Sequence, residues 1–240
     1  MKTIKQIFFL AAVGLLFTTT SCLDEFTING NGIEGTENRL ITEFDGLKSS
    51  GDFDVHITNG DKYEVIVIAE TNIVPYIETY VTNGTLHLDI RGLHNVRNHL
   101  PMQVFVTTPQ MKSIKQSGSG EITTGYFEAG EFELFISGSG SIKTTVAASV
   151  INAGISGSGR IEISGSATQT NFNISGSGRI HSYDLLSQNC DAFISGSGSI
   201  YITATNLIHA TISGSGNVFY TGEPDIDAHV SGSGRVISKN

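Results

Sequence analysis

From residue 113 onward, apolar and polar residues alternate as they do along a β-strand, and Ser-Gly-Ser-Gly interrupts the alternation at nearly even intervals. Seven copies begin at Ser117, Ser137, Ser156, Ser175, Ser195, Ser213 and Ser231, 18 to 20 residues apart. Ile136, Ile155, Ile174, Ile194, Ile212 and Val230 each precede a copy. Ile122, Ile142, Ile161, Ile180, Ile200, Val218 and Val236 each follow one by two residues. A flexible Gly/Ser linker would not place paired isoleucines at fixed offsets around every copy. The pattern predicts a solenoid in which one coil stacks on the next and the two apolar columns point inward. Glycine suits the corner because it accepts positive φ and lets adjacent turns approach at about 4.8 Å. The serines are expected to bond to backbone or to serines of the next coil. The drifting period and single marked corner per coil favour a right-handed parallel β-helix over a left-handed hexapeptide coil. Gln116, in the apolar position before the first copy, suits a coil that meets a different kind of structure.

Residues 39–112 are strand-rich without the repeat. Asn59-Gly60 and Asn83-Gly84 each sit between alternating segments, which predicts two hairpins. Pro75 predicts a helical turn or bend between them, and Pro109 ends a strand over residues 102–107. Residues 23–38 are polar and dotted with glycine, and are expected to act as a tether.

The N-terminus changes the picture. Lys2 and Lys5 precede an apolar run over residues 7–17, broken only by Gly14. That is too short for a transmembrane helix and fits a secretory signal over residues 1–21. Thr19-Thr20-Ser21-Cys22 resembles a bacterial lipoprotein cleavage site, of the looser kind ending Ser-Cys found in Bacteroidetes. The resemblance implies lipidation at Cys22, hence attachment to a membrane by acyl chains. Asp24 and Glu25 resemble an export signal to the outer face of the outer membrane. Loss of Lys2 and Lys5 takes the formal net charge from −9 to −11, which argues against a nucleic-acid partner. With Cys22 lipidated, Cys190 is left without an intrachain disulfide partner and reads as a small core residue.

Little in the repeats resembles catalysis. The glycine motifs lack phosphate-loop spacing, no Gly-x-Ser-x-Gly elbow occurs, and no serine is marked out from its copies by a neighbouring His and Asp. Glu121, Glu162, Asp184 and Asp191 form no evident cluster of the kind a β-helical polysaccharide lyase or hydrolase requires. The position after each corner holds Glu121, Ser141, Arg160, Arg179, Ser199, Asn217 and Arg235, and cations there argue against a calcium site. No cofactor and no metal are expected; His94 and His99, in a basic loop with Arg91 and Arg97, are expected on a mobile surface loop. Candidate ligand contacts are Arg160 and Arg179 on successive coils, which could pair with Glu162 or meet an anionic glycan. Aromatic residues just after the turns supply the other candidates: Tyr126, Phe127, Tyr183, and above all Tyr201, Phe219 and Tyr220. Phe219 and Tyr220 are adjacent, so one must face out. No polar cap is visible after the last copy, so self-association or docking at that end is expected, with the N-terminal hairpins covering the other.

The strands in "FDVHITNGDKYEVIVIAE" and "NGTLHLDI", together with the run of "SGSG" turns, resemble the auto-transporter adhesin head domain, or GIN domain, of Bacteroidetes envelope proteins. The resemblance covers residues 40–238. It implies a right-handed β-helix of pectin-lyase-like appearance and an adhesive envelope role toward glycan or protein, with no catalytic residues.

Overall fold

The computed structural model describes residues 27–92 and 95–240. Cys22, Asp24, Glu25 and His94 therefore lie outside the described residues. The chain is all-β, a parallel β-solenoid of about seven turns. Its body is β10 (Ser113–Gly118), β11 (Glu121–Gly138), β12 (Ser141–Gly157), β13 (Arg160–Gly176), β14 (Arg179–Gly196) and β15 (Ser199–Gly214). Then follow β16 (Asn217–Thr221), β17 (Asp225–Gly232) and β18 (Arg235–Ser238). Each pairs in parallel with the same segment one coil along, so that Ile136, Ile155 and Ile174 stand in register, as do Ile142, Ile161 and Ile180. These isoleucines are at most 2% exposed. On β17, Val230 is 40% exposed.

The corner is closed by main chain. The amide of Ser177 donates to the Gly157 carbonyl at 2.9 Å, and Ser197 does the same to Gly176. The serine hydroxyls of the motif face solvent, and the expected serine ladder is not what holds the coils together. The two glycines do different work. At Gly176 φ is +123°, and a Cβ there would lie 2.5 Å from the carbonyl oxygen of Gly157. A Cβ on the second glycine, Gly178, would instead lie 2.6 Å from Cγ2 of Ile155. The second glycine thus makes room for the isoleucine of the coil before it.

The parallel stack reaches further toward the N-terminus than the repeat does. β3 (Gly46–Ser50) pairs in parallel with β10, and β4 (Phe53–Asn59) with β11. The corner between them is Ser50-Gly51-Asp52-Phe53, with Gly51 at φ +133° and its amide bonded to the Ser117 carbonyl. Gln116 accordingly sits between two stacked coils, 1% exposed, its Nε2 donating to the Gly120 carbonyl.

One expected hairpin forms and the other does not. β6 (Ile77–Thr82) and β7 (Thr85–Ile90) pair antiparallel across Asn83 (φ +50°) and Gly84 (φ +72°), as a two-residue turn with two positive φ angles does. Asn59-Gly60 also turns the chain, but β4 and β5 (Glu64–Glu70) are not partners. β9 (Met102–Thr108) lies between them, parallel to β4 and antiparallel to β5. All three alternate with one face buried, and the turn leaves open which neighbour fills the gap. Pro75 lies in a single 3-10 turn, Val74–Tyr76.

The segment expected to be tether is in part strand. β1 (Thr27–Asn29) pairs with β8 (Asn95–Arg97), and β2 (Glu34–Arg39) with β5. Glu70 at the end of β5 holds this layer down. Its fully buried carboxylate accepts from the main-chain amides of Gly32, His99 (2.8 Å) and Leu100 (3.4 Å), and lies 3.4 Å from the His99 ring. Burial acts to raise its pKa, but the three amides and His99 outweigh burial and hold it below 4.5. A depressed carboxylate stabilises the fold above its ordinary pKa, and that contribution is lost as pH falls through the folded value. Glu70→Gln is expected to lower the unfolding temperature at pH 7 and to flatten its fall below pH 4.5. Thermal melts from pH 7 to pH 3 check this; a parallel shift of the whole curve would contradict it.

Candidate functional site

Because the inward columns are fixed by the isoleucines, the residues between them must point out. Two outward faces result, one on each side of the glycine corner. On the face after the corner, Thr123, Lys143, Glu162, His181, Tyr201 and Phe219 form one file in register from β11 to β16. Arg160 and Arg179 stand beside it on successive coils. Arg160 Nε lies 2.7 Å from Glu162, and Lys143 Nζ lies 3.9 Å from the same carboxylate. The rings stack on one another along the rod: His181 on Tyr201 at 4.1 Å, and Tyr201 on Phe219 at 5.0 Å between centroids. Lys239 Nζ caps Phe219 at 5.3 Å from its centroid. Burial, then the charges of Arg160 and Arg179, push the His181 pKa down against Glu162, so the imidazole is neutral near pH 7.

Four of the five candidate contact residues, Arg160, Arg179, Tyr201 and Phe219, therefore share this face. Tyr220 does not. It pairs with Ile202, which is fully buried, and packs on the core. Phe127 is core as well, 1% exposed. His99 belongs to the Glu70 anchor. Cys190 is buried, and burial, aided by the charge of Asp191 and opposed by a hydrogen bond with Thr170, pushes its thiol up to about 12.

The face before the corner carries residues that the reading of the repeat passed over. Its outer file runs Lys115, Phe135, Gly154, Asn173, Phe193, Thr211. Phe135 and Phe193 are each 42% exposed. Phe135, Gly154 and Asn173 line a depression of about 620 Å³, and a second of about 290 Å³, lined by Phe193, adjoins it through Asn171 and Asn173. A Cβ at Gly154 would lie 2.9 Å from the Phe135 ring, which covers that glycine. A second file, Glu133, Asn152, Asn171 and Asp191, forms the polar wall. Asn171 Nδ2 donates to Asn152 Oδ1 at 2.8 Å, and Asn152 Nδ2 to Glu131 at 2.6 Å. Gln169 Nε2 bridges Asn171 and Asp191 at 3.0 Å each. The signal was present in the sequence: the residue before each inward isoleucine must point outward, and at two copies it is phenylalanine.

The comparisons with known proteins agree with this architecture. A family model described as "Putative auto-transporter adhesin, head GIN domain" matches residues 43–224. The chain belongs to that family. A solved structure described as a putative adhesin from Bacteroides fragilis is 23% identical, with a TM-score of 0.82, covering 88% of this chain and 99% of its own. One from Parabacteroides distasonis described as a putative lipid binding protein is 24% identical, with a TM-score of 0.75, covering 89% of this chain and 100% of its own. A putative adhesin from Parabacteroides merdae is 21% identical, with a TM-score of 0.70 over 89% of this chain and 99% of its own. At these identities the likeness is one of fold. No curated protein matches the chain.

Proposed function

We propose that the chain is a non-enzymatic adhesion module of the cell envelope, held to the outer membrane by lipid on Cys22, with glycan or protein as its ligand. The observation that carries the reading is the rod's outward surface. Coils register side chains into continuous files of rings, amides and charges, an arrangement suited to extended contact. The carboxylates along both faces, Glu162, Glu133 and Asp191, are engaged by Arg160, Lys115 and Gln169. They are set as parts of a binding surface rather than as an acid and base around one reacting bond. Membership of an adhesin-head family supports the same reading. In it, Arg160, Arg179, Tyr201 and Phe219 are contact residues of the face after the corner.

The test is a binding screen of the mature chain against neutral and acidic polysaccharides and against whole cells, with reducing ends assayed in parallel. Retention without new reducing ends is the expected result. Reproducible chain cleavage would establish the lyase or hydrolase reading instead.

A further inference from the structure

We infer that the outward groove around Asn173, formed by two adjoining depressions that Phe135 and Phe193 line, is a binding site for a neutral glycan. The inference rests on the adhesion reading and adds to it a location and a ligand class.

The two outward faces differ in what their rings offer. On the face after the corner, His181, Tyr201 and Phe219 stack face to face, so their π surfaces are largely taken up by each other. Phe135 and Phe193 have no such neighbours in their file. The residues between them are Gly154 and Asn173, and both phenyl rings are exposed, each lining one of the two adjoining depressions. A hexose presents a patch of polarised C–H bonds on its ring face, which the negative face of a phenyl ring attracts while shedding water from both. Three coil steps separate Phe135 from Phe193, about 14 Å. That is long enough for more than one sugar ring.

The polar wall fits the rest of a sugar. Hydroxyl groups need donors and acceptors held in place. Asn152 and Asn171 are fixed by their bonds to each other and to Glu131. Each amide nitrogen carries two hydrogens, and one is used, leaving a donor for a ligand. Asn173 lines the middle of the groove with its amide unpartnered among the described residues. Because the wall is organised before a ligand arrives, little side-chain entropy is lost on binding.

Charge selects among glycans. Glu133 lines the first depression and Asp191 the second, and the Lys115 ammonium is already 3.0 Å from Glu133. An acidic polysaccharide would bring more negative charge to a wall whose cation is taken, on a chain of net charge −9. A protein strand is disfavoured for another reason. The main chain on this face is already paired on both sides by neighbouring coils, so no sheet edge is open to extend.

The test is calorimetric titration of the mature chain with hexasaccharides of glucose, mannose, galactose and xylose, and with oligogalacturonate. Binding of at least one neutral hexasaccharide is expected. Phe135→Ala and Asn173→Ala should each raise its Kd tenfold or more, while Tyr80→Ala, at an exposed ring on the N-terminal hairpin, leaves it unchanged. Circular dichroism of each variant guards against misfolding, and Asn173, on the surface, supplies a variant that the core does not depend on. Binding that survives both groove variants, or binding of oligogalacturonate alone, overturns the inference while adhesion stands. Failure of every glycan in the titration, with cells still bound in the screen, overturns it too. Failure of both removes the adhesion reading as well.

Discussion

Replacing Gly176 by alanine is expected to lower the free energy of unfolding by about 3 kcal/mol or more. Two causes act together. The φ of +123° is a region that L-residues avoid, and a Cβ would sit 2.5 Å from the Gly157 carbonyl oxygen, which is main chain and cannot swing aside. That same carbonyl accepts the amide of Ser177 at 2.9 Å, so relief of the clash breaks a bond between coils. Gly154→Ala is the control. It lacks the positive φ, and its new methyl crowds the ring of Phe135 at 2.9 Å, an exposed side chain that can move, with the nearest main chain at 4.0 Å. Urea denaturation of the two variants should therefore separate them by at least about 2 kcal/mol. Equal losses would mean that the corner glycines are not there for geometry.

Ile174→Ala is expected to cost about 3 kcal/mol. Ile174 is fully buried in a file of isoleucines, and its Cγ2 lies 2.5 Å from where a Cβ on Gly198 would be, so the glycine and the isoleucine are shaped to each other. Truncation leaves a cavity that Gly198, having no side chain, cannot fill. Val230 occupies the equivalent position on β17 but is 40% exposed, so Val230→Ala should cost about 1 kcal/mol or less. The pair is read by the same denaturation experiment. Similar losses at the two positions would contradict a core that runs along the middle of the rod.

The repeat was legible because its physics is local and repeated: a glycine that must take positive φ and an isoleucine that must point in recur together. The N-terminal coil was not, because Ser50-Gly51-Asp52-Phe53 keeps the corner glycine but replaces the second one by phenylalanine. At that position the nearest neighbours of Gly120 are main-chain atoms of Phe53. The Asn59-Gly60 hairpin misled because a turn fixes the direction of the next strand and not its partner; β9, more than 30 residues later in sequence, takes the place between. The strand character of Glu34–Arg39 arises from pairing with β5, which no local pattern announces. Arg160 and Arg179, one residue after their corners, and Tyr201 and Phe219, three residues after theirs, come to one face because positions one and three after a corner point the same way along a strand. Tyr220 was not separated from Phe219, since the alternation rule requires one of the two to face out without saying which. Phe135 and Phe193 stand outside by the same alternation, but Gly154 and Asn173 interrupt their file and leave it without an aromatic repeat in the sequence.

The stacked rod itself can be measured directly. Nitroxide labels at Ser158 paired in turn with Ser177, Ser197, Ser215 and Ser233, all exposed second serines of successive corners, act as a ruler. Allowing for label length, the separations should grow in even steps of about 4.8 Å per coil, reaching about 19 Å for the last pair. Separations that plateau, or that shorten between distant copies, would show sheets folded back on one another and would contradict the solenoid on which both outward faces depend.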